Sequence, residues 1–179
     1  LEMDNKNMFF TNIFNNILLI SSIIFFYTIP FYVFRIFRFD NQKNFAKILG
    51  FSVSLFLISI LFFDYNYEYT GGGIFFKISY FLFKNNFLFY IIALISLIFI
   101  FDKIYLNFKN SLLILLILLS NPQITVYHKY YDPFLIILFF TLFNIKIDTK
   151  RLENYKTQIL IFMYFFLFLI INNLKLYVQ

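Results

Sequence analysis

Cysteine and tryptophan are absent from this chain, histidine occurs once, and only four glycines and three prolines occur among 179 residues. Without cysteine there is no disulfide and no thiol chemistry. One histidine without cysteine cannot assemble a usual zinc site, and no metal or cofactor is expected. Neither G-x-S-x-G nor H-E-x-x-H occurs, which removes the common serine-hydrolase and zinc-protease signatures. Gly71-Gly72-Gly73 is not followed by the Lys-Ser/Thr of a P-loop, so it reads as a turn or hinge. Charge is scarce as well: 13% of residues are charged, against about 25% in an ordinary soluble domain. The centres of the apolar runs hold no facing acids of the kind a proton-coupled carrier uses. The few glycines and alanines argue against tight small-residue packing between helices.

What fills the chain instead is apolar: 61% hydrophobic and 25% aromatic residues, gathered in runs such as Ile13–Phe34 and Phe87–Phe101. A helix apolar on every side needs lipid or a large core around it, and so short a chain cannot build such a core. The expectation is an all-α, polytopic integral membrane protein with about six transmembrane helices and one short interfacial amphipathic helix. The net charge of +6 lies in short segments between the runs, so it reads as a topology signal and not as a nucleic-acid surface. The bias toward Phe, Ile, Leu, Asn, Lys and Tyr is what AT-rich codons give.

Taken in order, the first span is expected at Ile13–Phe34, with Pro30 in its last turns. A basic segment holding Arg35, Arg38, Lys43 and Lys47 follows, then a second span at Ile48–Phe63. The segment from Asp64 to Gly73 is a turn, since glycine costs a helix about 1 kcal/mol per residue. Ile74–Phe83 reads as the interfacial helix, with Ile74, Phe75, Ile78, Phe81 and Leu82 as its apolar stripe and Lys77 and Lys84 seven apart. Further spans are expected at Asn86–Phe101, from Ser111 to Ser120, at Phe134–Ile145 and at Thr157–Ile171. The run Ser111–Ser120 would cover about 15 Å of a hydrocarbon core about 30 Å thick, and Phe134–Ile145 is short too. The missing length falls on Asn121–Asp132, which is therefore expected to be a structured segment near the membrane surface and not a free loop.

Ten of the 15 basic residues lie in the loops after spans one, three and five. The positive-inside rule then puts both termini and the segments 64–84 and 121–132 on the non-cytoplasmic side. A bacterial inner membrane is the expected location, an organelle inner membrane the alternative. The chain starts at Leu1 with no signal-peptide pattern. It is expected to be a single transmembrane helical domain spanning 1–179, the C-terminal part of a longer membrane protein.

The expected topology brings two polar stretches to one face. One is Asp64-Tyr65-Asn66-Tyr67-Glu68, and the other is Tyr127-His128-Lys129-Tyr130-Tyr131-Asp132. Ionisable groups at membrane depth are costly and so are functional candidates. Tyrosine faces stack on sugar rings, and a lysine or histidine holds a phosphate. The substrate-binding candidates are thus Tyr127, His128, Lys129, Tyr130, Tyr131, Asp132, Asp64 and Glu68. The other reading stays open: tyrosines at helix ends are ordinary interfacial anchors, and Lys129 with Asp132 makes a simple helical pair.

Phe- and Tyr-rich spans with a polar His128-Lys129-aromatic segment on the outer face, then Pro133 and another span, resemble the C-terminal part of polytopic glycosyltransferases of the GT-C kind. In some of these a His-Lys-acid-aromatic motif lies in a lumenal loop; here Tyr130, not an acid, follows His128-Lys129. The resemblance implies membrane lipid and a polyprenyl-phosphate-linked sugar as partners; no nucleic-acid partner is expected, since the basic residues lie in the short loops between apolar runs. His128 and Lys129 would hold the donor phosphate, while Tyr127, Tyr130 and Tyr131 line a sugar or polyprenyl groove. The alternative class is a non-catalytic membrane protein: a transporter, flippase or polymerase fragment, or an assembly subunit.

Overall fold

Thirty-two consecutive residues without a glycine form α1 (Glu2–Val33), the longest helix of the computed structural model. The structure describes every residue except Leu1, 69–70, Leu106, 120–125, 128–131 and Gln179; at 2–10, 42, 132–133, 136, 139 and 171–178 it describes the backbone alone. α1 begins ahead of Ile13 because residues 2–12 contain neither glycine nor proline to break it.

After α1 come a 3-10 turn at Gln42–Asn44, α2 (Phe45–Leu61), α3 (Gly73–Phe83), α4 (Phe87–Ile104) and α5 (Phe108–Leu119). α6 (Asp132–Thr141), a single turn α7 (Thr149–Leu152) and α8 (Tyr155–Val178) complete the order. Among the described residues there is no strand; Phe37 and Ile147 form one isolated antiparallel bridge. The architecture is therefore all-helical, with a helix at each apolar run. Among the described residues two helices are long and apolar enough to cross a membrane, the Thr11–Val33 part of α1 and Phe87–Ile104. α5 has 12 residues and α6 has 10, so both stay shorter than a regular crossing requires.

The chain divides into two units. The first takes residues up to Tyr27 and Phe39–Asn144; the second takes Thr28–Arg38 and Ile145–Gln179.

In the first unit α4 is the central element, with α2, α3 and α5 packed on it. The buried positions of α2 are Ile48, Ser52 and Ser59, and those of α4 include Ala93 and Ser96. Serine thus supplies the small-residue faces that the scarcity of glycine and alanine argued against. Two of these hydroxyls are satisfied locally, Ser52 donating to the Ile48 carbonyl at 2.8 Å and Ser96 to the Ala93 carbonyl at 2.7 Å, while the Ser59 hydroxyl is buried without a hydrogen-bond partner among the described residues. Facing away are Phe45, Leu49, Phe51, Leu57, Ile58 and Leu61 of α2, all exposed. The pattern is the reverse of a helix amphipathic toward water, which buries its large apolar residues.

α3 is tied to α4 through Ser79. Its hydroxyl donates to the Asn85 carbonyl at 2.8 Å and accepts the Phe89 N–H at 3.1 Å. That link turns Gly73, Phe76 and Ser79 inward and leaves Ile78, Phe81 and Leu82 exposed. Lys84 does not share a helical face with Lys77. It lies beyond the helix end as a left-handed cap with φ 55°.

In the second unit, Arg35 takes the left-handed conformation with φ 56° just past the end of α1. Glycine is the usual residue there, and an L side chain in this region costs about 1–2 kcal/mol. The Ile36 and Phe37 N–H groups turn back to the Phe31 carbonyl at 2.8 and 3.0 Å. The Asp148 N–H donates to the Ile36 carbonyl at 3.0 Å, fastening segment 36–38 to segment 147–148.

Candidate functional site

The 64–72 segment meets Val126, the residue just ahead of the second polar stretch, in the first unit. Asn15, buried in α1, clasps the backbone of Asp64: its Oδ1 accepts the Asp64 N–H at 3.0 Å and its Nδ2 donates to the Asp64 carbonyl at 3.1 Å. Next along the chain, Tyr65 is buried, and its hydroxyl accepts the Val126 N–H at 3.4 Å. The Gly72 N–H donates to the Val126 carbonyl at 2.8 Å. Val126 itself is fully buried. One residue of the central stretch is therefore bonded on both of its backbone polar groups to the 65–72 segment.

The glycines make this approach possible. A Cβ on Gly71 would lie 2.5 Å from the Val126 carbonyl oxygen and 2.8 Å from the Tyr65 hydroxyl. Gly72 and Gly73 hold φ of 99° and 74°, which glycine adopts freely. Gly71 and Gly72 form the turn expected there, Gly73 opens α3, and Gly71 is also a contact point.

Beside the junction stands an aromatic and cationic stack that the sequence pattern did not show. The rings of Tyr67 and Tyr80 stack with centroids 3.9 Å apart and 18° between planes. Lys77 places its ammonium 4.3 Å from the Tyr67 ring centroid and also donates to the Tyr67 carbonyl. Lys84 lies 5.9 Å from the Tyr80 ring. Cations over aromatic faces at such range attract the ring quadrupole. The signal in the sequence was the three-residue spacing of Lys77 and Tyr80 on one helix, but the partner Tyr67 belongs to a loop.

Of the expected site residues, Asp64 and Glu68 are exposed and Tyr127 is half-buried. The Glu68 N–H is held by the Asn66 side chain at 2.9 Å, an Asx turn that leaves the carboxylate on the surface. His128, Lys129, Tyr130 and Tyr131 lie outside the described residues. Asp132 is the first residue of α6, and its side chain lies outside the description too.

A second polar cluster gathers at the other end of α4. Asp102 is 1% exposed and Lys103 is 5% exposed. The Lys103 ammonium contacts Asp40 at 2.7 Å and Asp102 at 3.1 Å. The Asp102 carboxylate also accepts the N–H groups of Asp40 at 3.1 Å and Asn41 at 3.0 Å. Asn110 continues the network, donating to the carbonyls of Lys103 at 2.8 Å and Asn144 at 3.1 Å. Phe39, Asp40, Asn41, Lys43 and Asn44 line an open cleft of about 470 Å³ beside it. Asp102 accepts enough hydrogen bonds to be stable where it is, so the cluster anchors the loop after α1 to α4. In the sequence these residues look only like charges closing a span.

No protein-family model, curated protein or solved structure matches the chain.

Proposed function

We propose that the chain is a polytopic integral membrane protein in which α1, α2, α4, α5, α6 and α8 cross the bilayer and α3 lies at its surface. The inverted pattern of α2 supports this reading: serines inward, and Phe51, Leu57, Ile58 and Leu61 outward, is stable against lipid and unfavourable against water. α5 repeats it, with Asn110 buried and Leu112, Leu115, Leu116 and Leu119 exposed. A bacterial inner membrane, with the 64–84 and 121–132 segments non-cytoplasmic, is the location that goes with it.

The functional surface proposed is the junction of those two segments, acting as part of a glycosyltransferase on a lipid-linked sugar donor. The observation that carries it is the Gly72–Val126 hydrogen bond, because it sets Asp64 and Glu68 on the segment bonded to the central stretch. In this reading His128 and Lys129 hold the donor phosphate, and Tyr127, Tyr130 and Tyr131 line the sugar or polyprenyl groove. Asp132, Asp64 and Glu68 supply carboxylates for sugar hydroxyls. A photoreactive polyprenyl-phosphate sugar added to the purified protein tests this. Crosslinks at 64–68 and 127–132 that Lys129→Ala abolishes and Lys47→Ala does not are the expected result. Labelling that is absent, or equal in both variants, overturns it.

One observation favours a second reading, a non-catalytic subunit of a membrane complex. On α8, Ile159, Leu160, Phe162, Met163, Phe166 and Leu167 are all exposed and together form one broad apolar face of the helix. A partner helix would cover what lipid otherwise covers. Purification with one partner in fixed ratio, and loss of solubility without it, would select this reading.

A further inference from the structure

In the second unit the segments 35–38 and 146–156 are held together and carry six cations against two carboxylates. The Phe37–Ile147 bridge and the Asp148 to Ile36 hydrogen bond join them. Asp148 then sits between two guanidinium groups, 2.6 Å from Arg38 and 3.3 Å from Arg151. Arg35, Lys146, Lys150 and Lys156 are exposed, and among the described residues no carboxylate lies within ion-pair distance of them. The concentration is a product of folding, since 107 residues separate Arg38 from Lys146 in the chain.

Two helices frame this surface. α1 ends at Val33, and Arg35 is held there in a conformation that glycine adopts without strain. α8 begins at Tyr155, with the Lys156 N–H capped by the Asn154 side chain at 3.0 Å, and the positive end of its dipole adds to the potential there. Tyr155 is exposed beside Lys156, an amphipathic ring at the start of an apolar helix, as at a membrane–water boundary. On the membrane reading, a basic surface at the foot of two apolar helices falls at the level of the lipid phosphates.

We propose that the joined segments 35–38 and 146–156 form a docking surface for the phosphates of anionic phospholipids. The partner is identified by charge complementarity and by the position of the cations at the ends of α1 and α8. The proposal rests on the membrane reading given above. Each cation near a lipid surface contributes enough to change retention about fivefold. Asp148 limits the surface by occupying two guanidinium groups.

The test is lipid retention by the purified full chain, reconstituted from phosphatidylcholine with and without phosphatidylglycerol and examined by native mass spectrometry. The protein should insert into both bilayers and keep phosphatidylglycerol preferentially. The Lys146→Gln/Lys150→Gln variant, which breaks no ion pair, should insert equally and lose that preference by about fivefold for each cation removed. Inorganic phosphate at matched charge should not displace the lipid; displacement would mean the surface takes free anions and would overturn the lipid assignment. Equal retention of the two lipids, or no change in the double variant, overturns this inference and leaves the membrane reading intact. Failure to insert into either bilayer overturns the membrane reading first.

Discussion

The ammonium of Lys103 lies 2.7 Å from the carboxylate of Asp40, across 63 residues of sequence, and is almost fully withdrawn from solvent. It neutralises one carboxylate and contacts a second, Asp102, at 3.1 Å. Removing one partner of a buried ion pair strands the other, at about 3–5 kcal/mol. Lys103→Ala should therefore destabilise the fold by about that amount. Lys109→Ala, an exposed cation on α5, should change stability by less than about 0.5 kcal/mol. Thermal unfolding of the two variants in one detergent measures the difference.

Two glycines make a second comparison. A Cβ on Gly71 meets the Val126 carbonyl oxygen at 2.5 Å and its carbon at 2.9 Å, both backbone atoms that cannot rotate away. Gly71→Ala should separate the two segments, lower stability, and speed hydrogen exchange at the Gly72 amide. At Gly50, inside α2, a Cβ meets nothing within 4 Å. Gly50→Ala should stabilise the protein by about 0.5–1 kcal/mol through helix propensity.

Acid should loosen the fastening in the second unit. Partial desolvation raises the Asp148 pKa, but the Arg151 backbone N–H, the Arg38 hydrogen bond and the charges of Arg38 and Arg151 outweigh it. The carboxyl therefore stays below its ordinary range in the folded state. A depressed carboxylate pKa contributes stability that is fully present above the unfolded value and is lost as pH falls through the folded one. Proteolysis at 146–152 should accelerate below the ordinary carboxylate range, and Asp148→Asn should remove that acid dependence while raising the neutral-pH rate.

The helices were legible because run length and breaker residues decide them locally. Each apolar run became a helix, and Gly71 and Gly72 became a turn, with Gly73 already the first residue of α3. The faces were less legible. The stripe Ile74, Phe75, Ile78, Phe81 and Leu82 suggested how α3 lies, but the Ser79 bonds to Asn85 and Phe89 decide which side packs on α4. Asp102 and Lys103 looked like ordinary span-end charges because their partner, Asp40, is distant in sequence. The contact of Tyr65 and Gly71 with Val126 was not legible in the sequence, which singled out the residues on either side of it. Which residues touch depends on the absence of a side chain at Gly71.

The absence of cysteine makes the central claim directly measurable, because a single introduced thiol has no background. Glu68→Cys, Lys43→Cys and Lys150→Cys all place that thiol at exposed positions. With a membrane-impermeant maleimide added to intact cells, Glu68→Cys should label, whereas Lys43→Cys and Lys150→Cys should label only after the membrane is opened. Equal labelling of Glu68→Cys and Lys43→Cys in intact cells would contradict the account.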